Sequence, residues 1–486
     1  MADLEANYEV VVVGAGNAGL AAAISAAENG AKVAMLEKAP KDLRGGNTYF
    51  TTDYRFGWNS LDEDIIPLIP NISADAIAQM RETVKPYTPE QFYDDAMRIS
   101  GGRSDPELLH TMVSEALPAM KWLRAMGHEW YEDYKSPGKS MVVDLNGGGA
   151  RLSDRGFDIA AARGVDIRYQ NVAMELLRGA RGNVVGVKVL TPQGFVRLNA
   201  KAVILACGGF EANPAMRATY LGAGWDTVKI RGVPFNTGDG LRMAWDIGAQ
   251  SYGQLSGCHA SAQDINRPPY SVRIQPTWEY NRYSYPWCIM VNNNCERFID
   301  EGSDLRPYTY AKIGRAMLSQ PQGVAFQIMD NKIAPLLHRY VNPTGAKADT
   351  LEKLAQMLGL DPVALVRTVQ EYNQAVQPGD FNHRILDGKR TQGLRVNKSN
   401  WSQLIDTPPY HGYGVCCGIT FTFGGLRINT EAEVLSTWEA AIPGLYACGE
   451  IVGGLFYDNY PGGSGLTQGA VFGRKAGRNA ARLVRG

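Results

Sequence analysis

The chain has no excess charge of either sign: its 486 residues include 49 basic and 49 acidic side chains. That balance excludes a global field that would draw nucleic acid or an anionic membrane surface, so the expected partner is a small molecule. Cysteine is scarce as well. Seven residues, an odd number without regular spacing or a CxxC pair, make neither a disulfide framework nor a zinc site, so no metal is expected and a reducing compartment fits. No uninterrupted apolar run reaches the roughly 18 residues of a membrane span. The opening residues, Met1 to Tyr8, carry two acidic side chains before any apolar stretch and lack the basic and apolar regions of a secretory leader. A soluble, cytoplasmic protein is expected. Internal repeats and low-complexity segments are absent too.

Glycine, by contrast, is plentiful: 54 residues, just over a tenth of the chain, imply many tight turns and close backbone approaches. The first of these is the most informative. Tyr8 to Val13 is a short β-branched run that suits a buried parallel strand, and Gly14-Ala15-Gly16-Asn17-Ala18-Gly19 turns it into an alanine-rich helix ending at Gly30. Lys32 to Leu36 is the second strand, with Glu37 at its end, 23 residues after Gly14. In such a βαβ unit the first glycine makes the turn, the second admits a pyrophosphate to the backbone and the third lets helix and strand pack closely. The helix N-terminus offers a partial positive charge to the phosphates, and Glu37 is placed to accept from ribose hydroxyls.

A second glycine-rich loop, Arg44-Gly45-Gly46-Asn47-Thr48, follows the second strand directly. An NAD domain needs no such loop. An extended flavin does, for backbone donors near its pyrophosphate and ring, so FAD is the expected cofactor. Ala206-Cys207-Gly208-Gly209-Phe210 and Gly444-Leu445-Tyr446-Ala447-Cys448-Gly449-Glu450 each set a strand against a glycine turn, and Glu450 is placed to take a ribityl hydroxyl.

Between these motifs, Ser104 to Met126 is expected to be helical, Asn146-Gly147-Gly148-Gly149 marks a loop, and a helix to about Gly164 leads into a strand near Val165 to Gln170. Glu175 to Leu198 alternates around Arg181-Gly182-Asn183 as hairpins do, and Ala202 to Cys207 is a further buried strand. From about Tyr252 to Gly418 the βαβ texture gives way to frequent aromatics and prolines, with helices expected near Tyr310 to Ser319 and Pro362 to Ala375. Gly444 to Gly449 is a short strand and Leu466 to Val484 a closing helix. The fold class that follows is α/β, a Rossmann-type FAD-binding domain in two parts, residues 1–252 and 419–486, with an inserted α+β capping domain from 253 to 418 and the active site between them.

The order of the fingerprint, RGGNT, ACGGFEAN, NTGDGLRMAW, NNNCERFIDEG, GLYACGE and the terminal PGGSGLTQGAVFGRKAG resembles the fumarate reductase/succinate dehydrogenase flavoprotein superfamily over nearly the whole chain. Within it, the chain is most similar to the tricarballylate dehydrogenase group, and Tyr460-Pro461-Gly462 resembles the 3-ketosteroid dehydrogenases. The resemblance implies hydride transfer between flavin N5 and a carbon near a carbonyl or carboxylate, with a protein group handling the proton on the neighbouring carbon. It adds Lys38, Val172, Asp239, Ser464, Gly465 and Leu466 to the residues that line FAD. His259 stands where fumarate reductases keep a substrate-binding histidine. Arg306 lies one position beyond their proton-relaying arginine and suits a bidentate clamp on a carboxylate. Tyr308 follows, where the ketosteroid relatives keep their base.

Two departures from the fumarate reductases bear on the substrate. Thr420-Phe421-Thr422-Phe423 precedes Gly424-Gly425 where they carry histidine, and Tyr460 replaces an arginine of the last loop, so two groups that grip a C4 dicarboxylate are gone. Tyr460 can donate to a carbonyl or carboxylate oxygen and stabilise an enolate-like transition state. The resemblance thus points to a dehydrogenase forming a C=C bond next to a carboxylate of a tricarballylate-like polycarboxylate. A ketone-directed dehydrogenase or ene-reductase is the alternative, and a flavin electron-transfer or redox-sensing protein, with the vicinal Cys416-Cys417, is the alternative of another class. No CxxCH haem motif or second dinucleotide fingerprint feeds electrons in, so the electron acceptor is external and unknown. The first histidine is His110 and the first cysteine Cys207, which leaves no usual attachment residue near the fingerprint. FAD is therefore expected to be non-covalent, and acid precipitation should release the yellow colour into the supernatant; flavin kept in the pellet would refute this.

Overall fold

A computed structural model describes residues 4–131, 142–144, 147–271, 273, 277–337 and 345–485. The chain divides into two compact units, one formed by Met1–Gly222, Gly232–Cys258 and Phe421–Gly486, the other by Ala223–Arg231 and His259–Thr420. The sequence boundaries at 252/253 and 418/419 differ from these by a few residues, and Ala223–Arg231, read as part of the larger unit, joins the smaller one. No periodicity marks that excursion: two residues of it, Lys229–Ile230, form an edge strand beside Tyr410–Thr422.

In the larger unit a six-stranded sheet runs Glu433–Leu435, Ala441–Ala447, Ala202–Leu205, Val10–Val13, Val33–Glu37, Asp166–Tyr169. All neighbours are parallel except the first pair, as expected for strands that are apolar on both faces. Val10 to Val13 are buried throughout. A second sheet orders Leu4–Asn7, Gly194–Asn199, Val184–Thr191 and Val172–Arg178; the last three form the expected hairpins. Leu4–Asn7, for which the sequence suggested no element, pairs parallel with Gly194–Asn199. Helices Pro106–Ala125 and Gly148–Ala162 stand where the sequence placed them; Asn146 of the expected loop lies outside the described residues.

The closing helix, Ser464–Arg485, lies on the first helix, Asn17–Glu28. Gly469, Gly473 and Gly477, four residues apart, form the contact stripe: a Cβ on each would meet Asn17 Nδ2 at 2.7 Å, the Ala18 carbonyl oxygen at 2.5 Å and the Ala22 carbonyl oxygen at 2.2 Å. Asn17 Nδ2 also donates to the Leu466 carbonyl oxygen at 2.8 Å.

The smaller unit is built on the long strand Tyr410–Thr422, which pairs with Lys229–Ile230, Val324–Met329, Cys258–Asp264 and Ala346–Ala348; Ile289–Asn292 follows Val324–Met329. Helices Leu351–Leu358 and Pro362–Ala375 cover it, burying Leu354, Leu365, Val369 and Tyr372 against Ile289, Val291 and Ile328. The helix expected from Tyr310 begins earlier, at Arg306, because Pro307 suits a first turn where no N–H is needed. Among the described residues no helix is long and apolar enough to cross a membrane.

Alanine is favoured over glycine by about 1 kcal/mol inside a helix, but overpacking costs about 1–3 kcal/mol, and Gly477 has no room for a methyl group. Gly477→Ala is expected to lower Tm by a few degrees; an unchanged or raised Tm in a thermal melt would mean that the two helices part without cost.

Candidate functional site

The larger unit brings its two glycine loops together. Gly14 has φ +102°, and a Cβ there would lie 2.4 Å from the Ala206 carbonyl oxygen, so only glycine fits where strand Val10–Val13 turns beside strand Ala202–Leu205. Gly16 caps the first helix without a side-chain bond, and the first turn carries no acidic residue, as an anion-accepting N-terminus requires. Asn17 N donates to Thr48 Oγ1 at 2.9 Å, and Gly45 and Gly46 (φ +97° and +57°) curl the second loop against Gly16.

Glu37 ties these loops to one another. Its buried carboxylate accepts Ala39 N at 2.8 Å and takes further backbone N–H groups from Ala15, Lys38 and Gly45. Burial pushes its pKa up, against the pull of those donors. Lys38 Nζ pairs with Asp239 Oδ2 at 2.7 Å, at the start of helix Asp239–Trp245. Arg44 turns outward, its guanidinium over the Phe157 ring at 4.2 Å and bonded to Tyr169. Val172 opens the hairpin sheet, and Cys207 and Gly208 (φ +76°) follow strand Ala202–Leu205 at its turn. Gly449 (φ +76°) leaves no room for a Cβ, which would meet Ala18 Cβ at 2.6 Å.

Glu450 and the last loop complete this side. Rather than standing alone, Glu450 accepts Thr422 N at 2.8 Å and is hydrogen-bonded to the carboxyl of buried Glu211. The last loop is pinned by Arg55, a fully buried residue that the sequence reading missed for want of any motif. Its Nε donates to the Gly462 carbonyl oxygen at 2.7 Å and its Nη1 to Tyr87 Oη at 3.1 Å. Ser464 Oγ bonds back to the Pro461 carbonyl oxygen, and Gly465 abuts the Phe421 ring. Tyr460 sits in an aromatic cluster, edge-on to Phe421 at 4.9 Å and to Phe456 at 5.5 Å, with Phe423 at 6.3 Å.

The smaller unit gathers a second set of groups. His259, 1% exposed on strand Cys258–Asp264, meets Tyr310 edge-on at 4.7 Å. The contact is possible because the Tyr310 helix lies close on that strand, where a Cβ at Gly314 would come within 2.6 Å of Ala260. Tyr310 meets Tyr283 at 5.4 Å, and the guanidinium groups of Arg306 and Arg231 lie 5.5 Å and 5.7 Å from the Tyr283 ring centre. Arg231 Nη1 donates to Thr420 Oγ1 at 3.3 Å. Burial, helped by the Arg231 charge, drives the His259 pKa well below its ordinary value, so its imidazole is neutral near pH 7. Residues four apart share a helix face and residues two apart do not. Arg306 therefore shares the face of Tyr310, and buried Tyr308 lies off it. Arg231, Tyr283 and Tyr310 were not foreseen.

Residues 9–58 and 73–466 match the family described as FAD binding domain. The chain is 30% identical over 490 residues to fumarate reductase (cytochrome) of Shewanella frigidimarina, covering 98% of this chain and 77% of that protein. It is 30% identical over 527 residues to vinyl phenol reductase of Lactiplantibacillus plantarum, covering 98% and 97%. The chain belongs to the fumarate reductase/succinate dehydrogenase flavoprotein superfamily. It also shares the fold of 3-ketosteroid Δ1-dehydrogenase from Sterolibacterium denitrificans, with a TM-score of 0.76 at 21% identity over 98% of this chain and 99% of that one. The flavoprotein is an FAD-dependent oxidoreductase, and the cradle fits that cofactor: side chains are missing at Gly14, Gly45 and Gly46 where a pyrophosphate needs backbone, and Gly16, at the helix N-terminus beside them, adds no side-chain cap.

Because Glu37 accepts from both loops, Glu37→Gln sets an amide N–H₂ against backbone N–H groups. A charged hydrogen bond contributes about 1.5–3 kcal/mol, so FAD should bind at least tenfold more weakly in fluorescence titration; an unchanged dissociation constant would mean that Glu37 does not hold the cradle together.

Proposed function

We propose that the flavoprotein is a dehydrogenase that forms a C=C bond α,β to a carboxylate, with a tricarballylate-like polycarboxylate as its substrate class. The observation that carries this reading is the pair of guanidinium groups, Arg231 and Arg306, set over one tyrosine ring beside a neutral histidine. Two cations gathered at one ring are a poor structural element alone, and a good one when an anion with several oxygens lies against them. In this reading Arg306 clamps one carboxylate through its planar fork and Arg231 engages the same or a second one. Neutral His259 donates an N–H to a carboxylate oxygen without adding charge.

Bound FAD would supply the two-electron acceptor for the hydride. The residues of the chain do the rest. Withdrawing charge through the arginine clamp acidifies the C–H next to the carboxylate; in the larger unit, Tyr460 is the hydroxyl suited to donate to an oxygen that gains negative charge as a proton leaves. Phe421, Phe423 and Phe456 around Tyr460 form an apolar wall where the fumarate reductases grip their substrate, which argues against fumarate or succinate. The smaller unit serves as the substrate-binding cap, and the electrons pass on to an external acceptor. Burial raises the Cys416 thiol, which leaves little thiolate to support a thiol-based redox role.

The ketone-directed reading rests on Tyr460, whose hydroxyl would polarise a carbonyl while a tyrosinate at Tyr308 takes the proton. Steady-state kinetics on polycarboxylates and cyclic ketones with an artificial acceptor separate the two. If the carboxylate reading holds, Arg306→Lys keeps the charge, loses the fork and lowers kcat/KM on a polycarboxylate by at least tenfold, about 1.4 kcal/mol, with Tyr308→Phe milder. The reverse order, with turnover of ketones only, would overturn it in favour of the second reading. Parental kcat/KM in both variants would remove this segment from the chemistry.

A further inference from the structure

The two glycine turns that follow strands Ala202–Leu205 and Ala441–Ala447 each end in a glutamate, and because these strands are parallel neighbours (Leu205 opposite Ala447) the turns deliver Glu211 and Glu450 to the same place. Two carboxylates at hydrogen-bonding distance cannot both be ionised away from water.

The surroundings are built for this pair. Glu211 Oε1 accepts Asn47 Nδ2 at 2.8 Å and Asn236 Nδ2 at 2.6 Å. The Asn47 amide is oriented by Val233 N, which donates to its Oδ1 at 2.9 Å, so its N–H₂ must face the carboxylate. Glu450 Oε1 accepts Thr422 N at 2.8 Å and Thr422 Oγ1 at 3.3 Å, and the carboxylate takes Gly209 N as well. Three glycines make the room: a Cβ at Gly208 would meet Asn236 Nδ2 at 2.7 Å, at Gly232 Asn47 Oδ1 at 2.1 Å, and at Gly209 Glu450 Oε1 at 2.3 Å.

Oε2 of Glu211 is buried and has no other donor among the described residues, and the Glu450 carboxyl is hydrogen-bonded to this side chain. The groups facing the pair from neighbouring segments, Asn47, Asn236 and Thr422, are neutral. The cation beside it, Arg217, directs Nη1 to the backbone carbonyl oxygen of Glu211 at 2.5 Å. Burial raises both carboxyl pKa values, and the Glu211 charge raises Glu450 further.

We propose that Glu211 and Glu450 hold one proton between them at neutral pH and take up a second when the bound flavin is reduced. Asn47 belongs to the second glycine loop and Glu450 to the turn beside Ala18, so the pair adjoins the cofactor cradle. The step balances. The substrate gives one hydrogen with its electron pair to the cofactor, the proton of the neighbouring carbon leaves to solvent, and the pair takes one proton from solvent. The negative charge that arrives with the hydride is thus matched by neutralisation of the remaining carboxylate. Nothing here depends on which substrate supplies the hydride.

The test is the reduction potential of the bound flavin as a function of pH, poised with dyes and read by absorbance, in the parent, Glu211→Gln and Glu450→Gln. One extra proton per two electrons changes the reduction equilibrium tenfold per pH unit, 29.6 mV. The parent should show that extra slope over both variants around neutral pH. Equal slopes in all three would overturn the proposal. Should the variants fail to hold FAD, infrared spectra of the parent with ¹³C-labelled glutamate decide. A protonated carboxylic acid band that shifts with the label at pH 7 supports the pair, and its absence rules the shared proton out.

Discussion

At the carboxyl ends of the parallel strands of the larger unit, the turns lie so close to their neighbours that a Cβ has no space, and the rest of the cofactor site follows from that crowding. Gly14 lies against Ala206, Gly449 against Ala18, and Gly208 leaves space for Asn236; all three have positive φ. A turn that bends this sharply leaves its N–H groups pointing outward, where a phosphate or a carboxylate can take them. Glu37 uses some of those donors to bind one loop to the other. The crowding creates the donors and also holds them still.

The two units handle charge in opposite ways. The larger unit buries acids and satisfies them internally, Glu37 through backbone N–H groups and Glu211 through two amides and a second carboxyl. The smaller unit collects guanidinium groups on aromatic faces, where cation–π attraction offsets part of their desolvation. It neutralises a nearby titratable base, His259, by burial. Such an arrangement suits anion recognition better than proton abstraction by the arginines themselves, since a guanidinium is a poor acid and a worse base.

The cofactor half of the molecule was legible in the sequence because its determinants are local. Tyr8 to Lys38 spells strand, turn, helix and strand in contiguous residues, and the glycines of both loops are forced by backbone geometry that any reader can infer. What could not be read depends on partners far apart in the chain. Arg231 belongs to a nine-residue excursion, Ala223–Arg231, with no periodic signature. Arg55 acts on Gly462, 407 residues away. Glu211 stood inside a recognised motif, but its pairing with Glu450 follows only from the neighbouring strands. Helix phase, too, needed the structure: Arg306 and Tyr308 look interchangeable as neighbours in a sequence, and the helix sets them on different faces.

The bond from Asn17 Nδ2 to the Leu466 carbonyl oxygen spans 449 residues. At synthesis rates of 5–20 residues per second, the first helix leaves the ribosome roughly 20 to 90 seconds before its partner is made. Through that interval its alanine face, which the closing helix covers in the finished protein, is bare to solvent and to other nascent chains. Most of the smaller unit, His259–Thr420, is complete meanwhile and can fold first. The larger unit is finished last although it is begun first, and a chain that stops short of Ser464 keeps the fingerprint yet lacks the helix that closes over it.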